Sequence, residues 1–97
     1  MVTINVFGKQ GCAKCHTARN KHEHFVSRGK LERKVQVVIY DLNTVDGLAE
    51  GAFYDVNEVP LTIVEQDGRS IARWDGEVPN SQAVRLILDK GANASAD

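Results

Sequence analysis

The sequence predicts an α/β fold in which a four-stranded mixed sheet carries helices on both faces. Short apolar runs that suit strands alternate with stretches where apolar residues recur every three or four positions, as in helices. The pair Asp67-Gly68 between the last two apolar runs is a strong hairpin signal. The predicted order is therefore βαβ, helix, β-hairpin, helix, with parallel strands first and antiparallel strands later.

The first three elements make up the βαβ unit. Val2 to Phe7 is predicted as a strand, with Phe7 on the face opposite to Val2, Ile4 and Val6. A helix is expected from about Ala13 to Arg28, ended by Gly29. Val35 to Leu42 is apolar on both faces, which is typical of a strand buried on both sides. The inward stripe of the helix follows three- and four-residue steps: Cys15, Ala18, His22, Phe25 and Val26.

The second half of the chain adds a helix, the hairpin and a last helix. Thr44 is predicted to cap a helix that runs to about Tyr54. Strands are expected over residues 61–65 and 70–74, and a last helix from Pro79-Asn-Ser81 to Lys90, closed by Gly91. We therefore expect one domain over residues 1–90 and a frayed tail over 91–97. The apolar residues expected to face inward on the Thr44 helix are Val45, Leu48, Ala49, Ala52 and Phe53; those of the last helix are Ala83, Val84, Ile87 and Leu88.

Composition excludes several classes of protein. Among 97 residues, 12 Lys and Arg nearly balance 13 Asp and Glu, so the net charge of −1 favours neither nucleic acid nor a membrane surface as a partner. No apolar stretch is long enough to span a membrane, and no secretory signal is visible at the start. We expect a monomer in the cytoplasm. In that reducing compartment a purely structural disulfide would contribute little stability.

The two cysteines, Cys12 and Cys15, form one C-x-x-C between the first predicted strand and helix. Residues three apart on a helix lie close together, so the pair can open and close as a disulfide. The same spacing can hold half a metal site, and His16 completes the letters C-x-x-C-H of a c-type haem attachment site. At the start of a helix, Cys12 meets unpaired backbone N–H groups that favour its thiolate.

The residues around the motif resemble a known superfamily. The segment Val-Phe-Gly-Lys-Gln-Gly-Cys-Ala-Lys-Cys, residues 6–15, is similar to the glutaredoxin pattern of a strand, a lysine and C-x-x-C. Residues 48–60, ending in Val59-Pro60, resemble the thioredoxin segment that leads to a cis-proline, and Gly68 and Gly76 match two thioredoxin loop glycines. Over nearly its whole length the chain therefore resembles the thioredoxin–glutaredoxin superfamily.

This resemblance implies a thioredoxin fold and a thiol–disulfide oxidoreductase active in cell redox homeostasis and electron transport. It implies that Cys12 attacks and Cys15 resolves, without a cofactor, and that disulfide-containing proteins are the substrates. A reductase or glutathione would supply electrons. Implied substrate-binding residues are Lys9, Val59, Pro60 and Gly76. The paired glycines with which glutaredoxins hold glutathione have no counterpart in residues 70–75, so we expect a poor glutathione-dependent enzyme.

Metal-binding alternatives use the same cysteines. A structural zinc site needs four ligands, and the sequence has no second C-x-x-C. Two chains could share an iron–sulfur cluster through Cys12, as some glutaredoxins without a proline after the first cysteine do. A c-type haem would need His22 or His24 as a second axial ligand. Trp74 and Asp75 are expected on a loop beside Cys12, where either could shape the choice of partner, as Glu58 could from the proline side. Trp74 could equally serve to pack the end of the last strand.

Overall fold

In a computed structural model the backbone is described for residues 1–96, and side chains for residues 1–90. The predicted fold class and element order are confirmed. The strands are β1 (Val2–Gly8), β2 (Val35–Asp41), β3 (Leu61–Gln66) and β4 (Arg69–Asp75), and the helices are α1 (Ala13–Arg28), α2 (Val45–Phe53) and α3 (Ser81–Ala96).

The four strands form one mixed sheet in the order β2-β1-β3-β4. β1 is parallel to β2 and antiparallel to β3, while β3 and β4 form the predicted hairpin. Asp67 and Gly68 both have positive φ, as a two-residue hairpin turn requires. The register pairs Phe7 of β1 with Leu61 of β3, and Leu61 with Asp75 of β4.

One face of the sheet is covered by α1 and α3. The inward stripe predicted for α1 is confirmed, because Cys15, Ala18, His22 and Val26 are buried and Phe25 is half-buried. The core on this side is made of aliphatic side chains from β1, β2, β3 and both helices: Ile4, Val6, Ala18, Val26, Val35, Val64 and Val84.

The opposite face carries a smaller core and α2. Phe7, Leu61 and Ile63 are buried there, and the Phe7 ring stacks on Tyr40 with centroids 4.8 Å apart. A polar group lies beside this core and joins the end of α2 to the sheet. Buried Asn5 donates to the Glu65 carboxylate, and the Tyr54 hydroxyl donates to the same group at 2.9 and 3.0 Å. Burial and this hydrogen bond raise the pKa of Tyr54 to about 12.

The predicted inward face of α2 is wrong. Val45, Leu48 and Phe53 are 82%, 59% and 79% exposed, and Ala49 and Ala52 are exposed as well. The buried positions are Gly47 and Gly51. A Cβ on Gly47 would overlap the carbonyl oxygen of Asp41, so the helix approaches β2 backbone to backbone. The N-cap itself is confirmed, since Thr44 Oγ1 accepts from the Gly47 amide at 3.0 Å.

Two smaller predictions are also corrected. β2 is not buried on both sides, because it lies at an edge of the sheet and Ile39 is 36% exposed. α1 does end at Gly29, its C-cap, and the positive φ that follows the helix is that of Lys30, at 55°. The second correction concerns the end of α3. α3 continues past Gly91 to Ala96.

The frayed tail predicted over residues 91–97 stays a prediction, because the side chains of residues 91–96 and the whole of Asp97 lie outside the described part. Over residues 1–96, the helices are all too short or too polar to cross a membrane.

Candidate active site

Cys12 and Cys15 lie at the start of α1 and are joined in a disulfide, with Cα atoms 5.2 Å apart. Cys12 is the N-cap residue, with extended backbone, and its Sγ accepts a hydrogen bond from the Cys15 amide at 3.1 Å. Sulfur thus occupies the place of the oxygen of a serine or aspartate cap. Cys12 is half-buried and Cys15 is 7% exposed.

The charge around Cys12 is positive. The first turn of α1 contains no acidic residue, and Lys14 lies within it. The first amides of a helix and its dipole also place partial positive charge at this end. The surroundings would therefore favour a thiolate over a thiol once the disulfide is opened.

Cys15 packs directly on the end of β1. A Cβ on Gly8 would lie 2.9 Å from the Cβ of Cys15, so a side chain at position 8 would displace the cysteine. Continuing the β1–β3 register by one residue places Pro60 opposite Gly8. The β3–β4 register likewise places Gly76 opposite Pro60, and the Gly76 amide donates to the Pro60 carbonyl at 2.8 Å.

This end of the sheet therefore brings the cysteines together with three of the four predicted substrate-binding residues. Pro60 is buried, Val59 is half-buried, and the bond between them is cis. Gly76 has a φ of +71°, which favours glycine. The role of these residues in binding a substrate stays a prediction.

Lys9 lies on the other side of the cysteines, towards β2. With His16 and Arg19 it lines a shallow cavity of about 100 Å³ next to Cys15, closed by Tyr40 and Asp41 of β2. Lys9 is thus separated from Pro60 by the width of β1, and its part in substrate binding also stays a prediction. Trp74 is half-buried against the core under α1, which agrees with a packing role.

Arg73 of β4 holds the chain segment that leads to Pro60, a role that sequence patterns did not reveal. Its guanidinium donates to the Tyr54 carbonyl and, at 2.9 Å, to the Asp55 carbonyl, both at the end of α2. Its Nε donates to the Asp75 carboxylate at 2.9 Å. A single cation thereby ties the C-terminus of α2 to β4.

His22 is buried away from solvent and hydrogen-bonds Thr62 of β3 at 3.0 Å. Burial lowers the pKa of His22 from 6.5 to about 4, and the positive charge of Lys21 adds to the effect. The ring is held inside the core, whereas His16 and His24 are exposed.

No three His, Cys, Asp or Glu side chains among the described residues lie close enough to share a metal ion. A larger cavity, of about 610 Å³, lies at the opposite end of the sheet from the cysteines. It is lined by Val2 and Val35, the first residues of β1 and β2, and by parts of α1 and α3.

Solved structures show the same arrangement of elements. Thioredoxin-2 of the malaria parasite protein secretion machinery is 17% identical, with a TM-score of 0.78 over 93% of this chain and 82% of that one. The chain has the thioredoxin fold. Thioredoxin 1 from Thermosipho africanus is 16% identical, with a TM-score of 0.76 over 98% of this chain and 99% of that one.

A thioredoxin from Fasciola hepatica gives a TM-score of 0.71 at 20% identity, over 93% of this chain and 80% of that one. No protein-family model and no curated protein sequence matches the chain. The predicted resemblance is therefore confirmed at the level of the fold, together with a C-x-x-C disulfide at the start of α1.

Proposed function

We propose that this protein is a thiol–disulfide oxidoreductase that reduces disulfides with Cys12 as nucleophile and Cys15 as resolving thiol. The observation that supports it best is the unequal placement of the two sulfurs. Cys12 Sγ is the N-cap acceptor of α1 in a positively charged setting, and Cys15 is buried behind it against Gly8. A thiolate at such a position is stabilised and reachable, while its partner is shielded from outside disulfides.

The proposed reaction starts from the reduced dithiol. The Cys12 thiolate attacks one sulfur of a substrate disulfide, the substrate S–S bond breaks, and the departing thiolate takes a proton. A mixed disulfide now joins Cys12 to the substrate. Cys15 loses its proton and attacks the Cys12 sulfur, which releases the second substrate thiolate and forms the Cys12–Cys15 disulfide. Two electrons pass from the protein to the substrate.

Another cycle requires a dithiol or thiol reductant, supplied by a reductase or by glutathione. We expect the substrate to be a protein segment that lies along Val59 and Pro60 as an added strand, because that mode gives affinity with little demand on sequence. Gly76 flanks the same edge through its hydrogen bond to Pro60. A cytoplasmic setting fits a dithiol that must be kept reduced.

A pair of single substitutions tests the assignment of roles. Reduced Cys15→Ser protein keeps the attacking thiolate and lacks the resolver, so we expect a mixed disulfide with an added protein disulfide to accumulate. Reduced Cys12→Ser protein should accumulate little. Non-reducing electrophoresis and intact-mass measurement after acid quenching would show the adduct.

The opposite pattern, with trapping only by Cys12→Ser, would mean that Cys15 is the nucleophile. Trapping by neither variant, together with no disulfide reduction by the wild-type protein, would overturn the proposed function.

A further inference from the structure

The carboxylate of Glu58 lies against Gly76, at the end of the sheet where the substrate is proposed to dock. A Cβ on Gly76 would overlap Glu58 Oε2, so the glycine leaves room for this acid. The same glycine donates its amide to the Pro60 carbonyl. Glu58 therefore lies beside Gly76 and Pro60 at this end of the sheet, with its side chain exposed.

Nothing cationic neutralises this carboxylate among the described residues. No ion pair or side-chain hydrogen bond joins Glu58 to the rest of residues 1–90. Arg73 is already engaged by Asp75 and by two carbonyl groups at the end of α2. From residue 35 to residue 68 the chain contains no Lys or Arg that could neutralise Glu58.

The other flank of the dithiol has the opposite charge. Its cations are Lys9 and Lys14, on either side of Cys12 in the sequence, and Arg19 of α1, and the cavity beside Cys15 holds one acid, Asp41. Lys9, His16 and Arg19 line the cavity beside Cys15 on the β2 side. Cys12 thus lies between a flank that carries the cations Lys9, Lys14 and Arg19 and a flank that carries the Glu58 carboxylate.

We propose that Glu58 is a specificity residue that favours disulfide substrates with Lys or Arg next to the attacked cysteine. This inference rests on the proposed function and names the substrate class for the same site. A substrate strand along Val59 and Pro60 would pass beside Gly76. There the Glu58 carboxylate would attract a cationic side chain of the substrate and repel an anionic one. Exposed charges beside a binding site change the association rate and the alignment of a substrate more than its total affinity. A single exposed pair changes a rate by roughly fivefold at most.

Two synthetic peptides test this. Each contains one intramolecular disulfide, and they differ only in having Lys or Glu on both sides of each cysteine. The second-order rate constant for reduction is measured with stoichiometric reduced protein at low ionic strength, by acid quenching and chromatography, so that no electron donor is involved. We expect the wild-type protein to reduce the Lys peptide about fivefold faster than the Glu peptide, and Glu58→Gln to lower that ratio to about twofold or less.

Glu32→Gln is the matched control, because it removes the same charge before the start of β2, at the far end of the sheet. It should keep the wild-type ratio, and raising the salt concentration to about 0.5 M should shrink the ratio in wild type and control. Reduction of neither peptide would overturn the proposed function. Reduction of both peptides with the same ratio in wild type and Glu58→Gln, or a wild-type preference for the Glu peptide, would overturn only the role of Glu58.

Discussion

Helices α1 and α2 both contain apolar residues at helical spacing, yet they bury opposite kinds of residue. α1 turns its predicted stripe, Ala18, His22 and Val26, into the core. α2 turns two glycines towards the sheet and leaves Leu48 and Phe53 in solvent. The two helices differ in their distance from the sheet. Side chains fill the space between α1 and the sheet, while the backbone of α2 at Gly47 contacts the backbone of Asp41.

The comparison teaches that periodicity identifies an amphipathic helix but not always the side that faces the core. Apolar side chains point inward where the gap to the sheet can hold them, as on α1. When the connection from strand to helix is only a few residues long, the helix can be drawn in too closely for any side chain. Asp41 and the N-cap Thr44 are three residues apart, and Gly47 follows one turn later.

The largest effect should come from the buried ring of α1. The pKa of His22 is lowered to about 4 in the folded protein, so the ring stays neutral there, whereas an unfolded chain binds a proton below about pH 6.5. Stability should therefore fall as the pH drops from 6.5 towards 4, by about 3 kcal/mol from this group. Urea unfolding followed by Trp74 fluorescence at several pH values would measure it.

His22→Gln keeps a group able to hydrogen-bond Thr62 and removes the titration, so its stability should change less over this pH range. His24→Gln, at an exposed position of the same helix, should follow the wild-type curve. Identical pH profiles for wild type and His22→Gln would contradict the buried neutral ring.

A second effect separates the two glycines of α2. Gly47→Ala should lower the free energy of unfolding by about 2 kcal/mol, because the new Cβ meets the Asp41 backbone and outweighs the gain in helix propensity. Gly51→Ala should be within about 1 kcal/mol of wild type, since its Cβ would lie 2.8 Å from the movable end of Leu42. Thermal and urea unfolding would compare them, and equal effects would mean that α2 can slide freely over β2.

The smallest effect is expected on the outer side of α2. Leu48→Ser and Phe53→Ser remove side chains that are mostly in solvent, so each should change the free energy of unfolding by less than about 0.5 kcal/mol. A loss above about 2 kcal/mol for either variant in urea unfolding would show that these residues are covered in solution and that the contrast with α1 does not hold.

Much of the fold and the centre of the candidate site follow from local sequence signals. Apolar runs, the Thr44 cap and Asp67-Gly68 predict the right elements, and C-x-x-C after the first strand predicts a disulfide at a helix start. These signals suffice because each depends on residues close in sequence. The bounds of α1 agree to the residue for the same reason.

The remaining features depend on contacts between distant residues. Arg73 donates to the carbonyl of Tyr54, 19 residues away in the sequence. The Glu58 carboxylate lies against Gly76, from which it is separated in the sequence by the β3–β4 hairpin. Neither contact leaves a periodic trace in the sequence. Six successive residues without charge in β2 predict burial on both sides. Its place at the edge of the sheet instead follows from its pairing with β1 alone, which no pattern within β2 reveals.

That edge position has a consequence for the chain when it is partly unfolded. Residues 35–40, Val-Gln-Val-Val-Ile-Tyr, contain no charge, proline or glycine, and their outer backbone groups have no strand beside them within the described sheet. The other edge, β4, carries Arg69, Arg73 and Asp75, which discourage a second strand from pairing. Aggregation of this protein through added β-strands should therefore begin at β2, because residues 35–40 carry no charge that would discourage a second chain from pairing there.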